Sequence, residues 1–114
     1  MNRLTNRVSL IGNLGADPKT TEFKTGKKVE LRVATNESYK DASGQKVEDT
    51  QWHTCVAWGK TADIASDYLK KGNKVAIEGR LQHRNFEDSD GVKRYVSEVK
   101  ISEILMLNGK GNDN

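Results

Sequence analysis

Four of the seven aromatic side chains, Tyr39, Trp52, Trp58 and Phe86, fall among charged residues rather than inside apolar runs. Tyr39 and Phe86 stand at the mouths of charged loops, and Trp52 and Trp58 lie six residues apart on one face of an alternating pattern. Filling a core is the ordinary use of a strand tryptophan. Rings exposed among lysines and arginines are suited instead to stacking on the π faces of nucleobases, at roughly 1–3 kcal/mol per base. A second constellation is basic: Arg3, Arg7, Arg32, Lys40, Lys60, Lys70, Lys71, Arg80, Arg84, Lys93 and Arg94. Scattered cations usually only solvate a surface. Here Lys40 follows Tyr39, Lys60 comes two residues after Trp58 and Arg84 two before Phe86, so cation and ring could hold the phosphate and base of one nucleotide. Arg3, Arg7, Lys40, Lys60, Lys71, Arg84 and Arg94 are the candidate phosphate ligands. Tyr68 and Tyr95 are assigned to core or interface, and Phe23 is left unassigned.

Catalytic chemistry finds little support. Gly59-Lys60-Thr61 resembles the end of a phosphate-binding loop, but Thr54 occupies the position where that loop needs its first glycine. His53 and Cys55 share a strand face without an orienting third group or an oxyanion-hole pattern, so a structural histidine and an inert cysteine are expected. His83 stands alone, and no spacing of His, Asp and Glu suggests a metal site. The expectation is a non-enzymatic protein with no catalytic residue, no metal and no cofactor.

The elements that must position these side chains follow from periodicity. A first strand covers residues 7–14 and closes in a loop with the only proline, Pro18. Residues 19–28 are polar and unpatterned. Alternation returns over 27–38, with Val29, Leu31 and Val33 on one face, and residues 39–49 form a long charged connection. A third strand covers 51–58, with Trp52, Thr54, Val56 and Trp58 on one face and His53, Cys55 and Ala57 on the other. A short helix follows, capped by Thr61, with Ile64, Ala65, Tyr68 and Leu69 as its apolar face and Lys70-Lys71-Gly72 as its end. A fourth strand covers 74–81, with Gly79 at a bend; Asp90-Gly91 marks a hairpin, and the return strand runs from 94 to 107 with a bulge near Ser102, where parity slips. Three strands, a helix and two strands are best satisfied by a sheet that curls closed with the helix plugging one end. The fold class expected is therefore all-β: a five-stranded OB-fold Greek-key barrel over residues 1–107, with one helix between the third and fourth strands and a disordered tail at 108–114.

Only 34% of the 114 residues are hydrophobic and 31% are charged, a lean core for one domain, which suggests that another subunit covers part of it. The net charge of +3 permits an anionic partner without demanding one. The lone cysteine excludes an internal disulfide and fits a reducing compartment. With no leader pattern and no run near the roughly 18 apolar residues needed to cross a bilayer, a cytoplasmic, nucleoid-associated location without a membrane partner is expected, ahead of an organellar matrix.

Several segments together resemble the bacterial and organellar single-stranded DNA-binding protein family, SSB. They are Asn6-Arg-Val-Ser-Leu-Ile-Gly-Asn-Leu-Gly-Ala-Asp-Pro18, Ala34-Thr-Asn-Glu-Ser-Tyr39, Trp52-His53, Trp58-Gly-Lys60, Ala65-Ser-Asp-Tyr-Leu-Lys-Lys-Gly72, Ile77-Glu-Gly-Arg-Leu81 and Gly91-Val-Lys-Arg-Tyr-Val-Ser-Glu-Val99, covering nearly the whole chain in order. The resemblance implies an OB fold, a homotetramer, and sequence-tolerant wrapping of single-stranded DNA in replication, recombination and repair. Its stacking positions correspond to Tyr39, Trp52, Trp58 and Phe86. Its subunit-interface histidine matches His53, which implies that the face opposite the tryptophans, with Asn6 and Leu10, meets a neighbour. Many members continue into a glycine- and glutamine-rich linker with an acidic tip that recruits repair and replication enzymes. This sequence stops at Asn114, as a short member of the family or one whose tail has been removed would, which places tail-mediated recruitment in doubt. The alternative is a primosome-type OB adaptor acting mainly through protein partners, which needs fewer stacking rings.

Overall fold

Alternation at Val29, Leu31 and Val33, fully buried, becomes the inner wall of a closed barrel in the computed structural model, which describes residues 3–107. The tail expected at 108–114 lies outside the described residues. After a 3-10 turn at Arg3–Thr5 come β1 (Val8–Leu14), β2 (Lys19–Phe23), β3 (Gly26–Lys40), β4 (Lys46–Trp58), α1 (Gly59–Tyr68), β5 (Lys74–Glu87) and β6 (Lys93–Met106). The sheet order is β1-β5-β6-β4-β3-β2, and a further β1–β3 pairing closes β1, β5, β6, β4 and β3 into a five-stranded barrel. All neighbours are antiparallel except β4 and β6, where Cys55 lies beside Val99 and Val56 beside Lys100. The core gathers Leu14, Leu31, Val33, Cys55, Val75 and Val99 with Ala62, Ala65 and Leu69 from the helix side. This is the all-β OB-type barrel that the strand pattern predicts.

Two glycines allow the wall to close. A Cβ on Gly12 would stand 2.2 Å from the Ala34 carbonyl oxygen, and one on Gly79 would stand 2.1 Å from that of Lys100. Beside Gly79 the register slips: Glu78 pairs with Glu103 and Gly79 with Ile101, leaving Ser102 as the extra residue. The bulge expected near Ser102 is there, and it bends β6 around the barrel.

Five details differ from the sequence reading. Residues 19–23, read as unpatterned, form β2, which pairs only with β3, so the helix lies between the fourth and fifth strands. Its residues are exposed on both faces, and a strand that buries neither face shows no alternation. The connection at 39–49 is mostly ladder, because β3 and β4 continue as a hairpin arm to the pair Lys40–Lys46. The helix begins at Gly59 (φ 63°), with Trp58 as an extended N-cap and no side-chain cap, so Thr61 lies inside it. The face that meets the barrel also differs from the one expected. Ala62, Ala65 and Leu69 are buried, whereas Ile64 and Tyr68 are exposed, and small alanines let the helix sit close to the barrel end. Tyr95 is also exposed, on the β5–β6 arm, so neither Tyr68 nor Tyr95 belongs to this chain's core.

Candidate nucleic-acid interface

Residues paired across a ladder point to the same side of the sheet. Because Leu31, Val33, Cys55 and Ala57 face the core, their sequence neighbours face outwards. The pairs Lys28–Trp58, Arg32–Thr54 and Ala34–Trp52 therefore share the outer face of β3 and β4. That parity carries through Val56–Lys100 to β6, and through Gln82–Glu98 and Phe86–Arg94 to β5. Trp52, Trp58 and Phe86 thus lie on one outer face of a continuous four-stranded sheet. They are 53%, 42% and 42% exposed, which rules out core filling. Tyr39, 56% exposed and opposite Val47, has the other parity, so it sits on the reverse side of the β3–β4 arm.

Each ring on the shared face carries a cation. The Arg32 guanidinium lies 5.6 Å from the Trp52 ring centroid, Lys28 Nζ 5.9 Å from that of Trp58, and the Arg84 guanidinium 5.7 Å from that of Phe86. Such contacts contribute about 0.5–1 kcal/mol at exposed sites. Glu98, 2% exposed, anchors the third of them: its carboxylate accepts from Arg84 Nε at 2.7 Å and from Gln82 Nε2 at 3.2 Å. Trp52 also rests against Gly15, where a Cβ would stand 2.3 Å from the indole Cζ3. Phe23, on β2, stacks on Trp58 with centroids 5.9 Å apart and planes at 28°.

The sequence reading had Arg32 only among the general cations and gave no role to Gly15, Phe23, Lys28 or Glu98. Opposite parity to Val29 and Val33 is the signal that could have placed Lys28 and Arg32 beside the tryptophans. Phe23 and Glu98 act through neighbours distant in sequence, which no local pattern reveals.

The candidate phosphate ligands divide into two groups. Arg84 pairs with Glu98, Arg94 Nε with Asp88 at 2.8 Å, and Arg7 with Glu78. Lys40, Lys60 and Lys71 take part in none of the ion pairs among the described residues; they stand at the tip of the β3–β4 arm, in the first turn of α1 and in the turn after α1. The Arg3 backbone belongs to the 3-10 turn, and its side chain is outside the described set.

Of the residues assigned to a subunit interface, Asn6 uses both ends of its amide on Leu81, donating to its carbonyl at 2.9 Å and accepting from its N–H at 3.0 Å. Leu10 packs partly against the core. His53 is half-buried, its Nε2 2.9 Å from Thr35 Oγ1. The expectation that the face opposite the tryptophans meets a neighbour fails for Cys55 and Ala57, which are fully buried in the barrel, because closure turns that face inward.

Burial pushes the Cys55 thiol up to about 12, so it stays protonated and enclosed at neutral pH. Among the described residues no group of three or more His, Cys, Asp or Glu could hold a metal ion, and no helix is long and apolar enough to cross a membrane.

The sequence model of the Single-strand binding protein family matches residues 5–107. "Single-stranded DNA-binding protein 1" of Chlorobaculum tepidum is 49% identical, over 96% of this chain and 69% of that protein. "Single-stranded DNA-binding protein" of Neisseria meningitidis serogroup A is 43% identical over 96% of this chain, which spans 63% of it. Among solved structures, a deletion mutant of the single-stranded DNA binding protein from Thermus aquaticus superposes with a TM-score of 0.81 at 34% identity, covering 93% of this chain and 52% of that one. Plasmodium falciparum SSB in complex with ssDNA also gives 0.81, at 27% identity, covering 90% and 94%. The barrel, the ring-bearing face and the match over nearly all the described residues agree: the chain belongs to the single-strand binding protein family.

Proposed function

We propose that this protein binds single-stranded DNA without regard to sequence, coating and protecting it in replication, recombination and repair, and that it does so as a homotetramer. One observation carries the reading: Trp52, Trp58 and Phe86 share an outer sheet face, each with a cation within 6 Å of its ring centroid. In the free protein Arg32, Lys28 and Arg84 cover ring surface. When a strand binds, bases replace the cations on the rings and the cations turn to the phosphates, so stacking and charge neutralisation act on the same nucleotide. Paired bases hide their faces, so only the open strand gains the stacking term, and hairpins melt by mass action. Tyr39, on the reverse side of its arm, suits a strand that wraps around the subunit rather than lying on one face. The three ion-paired arginines exchange a carboxylate for a phosphate, whereas Lys40, Lys60 and Lys71 contribute charge directly.

The tetramer reading draws on a separate apolar patch of the outer wall. The outer surface of β1, β5 and β6 carries exposed Ile11 and Leu105 around Ala76, over a shallow groove of about 410 Å³ edged by Glu78 and Glu103. An apolar surface of this kind fits a self-complementary contact between copies. Its lining includes none of Trp52, Trp58 and Phe86.

The test is a titration of intrinsic tryptophan fluorescence with poly-dT at low and high salt, beside duplex DNA of equal length. Strong quenching by the single strand alone, persisting in moderate salt, is expected. Quenching that is equal with duplex and abolished by salt would mean that the surface binds phosphates only.

A further inference from the structure

We propose that Phe23 is a further base-stacking ring, which carries the bound strand past Trp58 onto the β2–β3 hairpin. The inference rests on the single-stranded DNA reading above and adds a subsite to it. Phe23 shares outer parity with Thr21, the partner of Lys28, and so lies on the same face as Trp58. Its own partner is Gly26, which has no side chain, so nothing at that position stands between the phenyl ring and the indole across β3. The ring centroids are 5.9 Å apart at 28°, within the range of direct offset stacking, so no base fits between them. A base would lie on the outward surface of Phe23, which is 49% exposed. The hairpin around it carries Lys19, Lys24, Lys27 and Lys28 against Glu22 and Glu30, the latter opposite Lys19 in the ladder. Lys27 pairs with Asp63 at 3.0 Å and Lys28 lies over Trp58, which leaves Lys24, next to Phe23 at the hairpin turn, for the next phosphate. An exposed ring among cations, continuous with a ring of the main face, meets the same physical criteria as Trp52 and Phe86.

The competing role is bracing, in which Phe23 only holds the indole of Trp58 in place. Phe23→Trp in a Trp52→Phe, Trp58→Phe background puts the only indole at the hairpin, and binding is followed independently by the anisotropy of labelled oligo-dT. Quenching of that indole in step with the anisotropy is expected; rising anisotropy with an unquenched indole overturns the proposal. Phe23→Leu keeps apolar bulk against Trp58 and removes the stacking face. It is expected to weaken oligo-dT binding at least about fivefold, and Phe23→Ala is expected to do the same. Wild-type affinity in Phe23→Leu would assign the ring to bracing and overturn the proposal. Failure of the unmodified protein to bind oligo-dT would remove the parent reading as well, so the two failures are distinguishable.

Discussion

At Gly15 a methyl group would stand 2.3 Å from Cζ3 of Trp52, so the missing side chain is what lets the indole rest against the β1–β2 loop. The obstacle is the far end of a side chain rather than backbone. In Gly15→Ala the ring should move while the barrel stays intact. Thermal stability is expected within about 0.5 kcal/mol of the parent, with altered tryptophan emission in the free protein and weaker poly-dT binding. Unchanged affinity would show that the resting place of Trp52 does not limit stacking. Glu98 works in a related way: a buried carboxylate fixes Arg84 by one nitrogen, and Arg84 in turn lies over Phe86.

The two hairpin arms end in the same device. In Asp41-Ala-Ser-Gly-Gln45 and in Asp88-Ser-Asp-Gly-Val92 the carboxylate accepts from the N–H two and four residues on, and the glycine takes positive φ, 85° and 79°. The Ser43 hydroxyl holds the Asp41 carboxyl below the usual carboxylate range, with the Gln45 and Ser43 amides assisting. For Asp88 the Arg94 guanidinium does most, and the Val92 and Asp90 amides add to it. A depressed folded value means that the ionised carboxylate stabilises the turn above the unfolded carboxyl range and that this is lost as pH falls through the folded value. Asp88→Ala should therefore speed hydrogen exchange at the Val92 amide near pH 7, and the difference from the parent should vanish in strong acid. A difference that persists there would mean that the carboxylate does not hold the turn.

At the scale of the molecule, barrel closure and the proposed assembly use separate residues. Gly12 lets β1 approach β3, where Asn13 pairs with Ala34 and Leu14 with Val33. Gly12→Ala sets a Cβ against backbone that cannot swing away, and a loss of about 1–3 kcal/mol or more is expected in chemical denaturation. Denaturation indistinguishable from the parent would mean that the strands relax without cost. Leu105→Glu places a charge on the exposed β1–β5–β6 face without touching the core. It should reduce the sedimenting mass below that of a tetramer while leaving the far-ultraviolet spectrum unchanged, and an unaltered tetramer would remove that face from the interface.

The sequence alone determined the barrel segments of the long strands, the helix, the bulge at Ser102 and the four exposed rings, because each is written in local periodicity or composition. Val29, Leu31 and Val33 alternate because one face of β3 is buried, and Trp52 and Trp58 keep that period on the other face of the wall. What buries no face leaves no such trace, so β2 and the outer half of the β3–β4 arm were not legible, although their ladders are continuous. Tertiary structure alone decided which rings share a surface and which cations are already paired. It put Phe23 against Trp58 and Arg84 on Glu98, set Tyr39 on the reverse side, and turned the Cys55 face into the core. The reason is closure: strands distant in sequence become neighbours only when β1 meets β3, and the inner and outer walls do not exist until then.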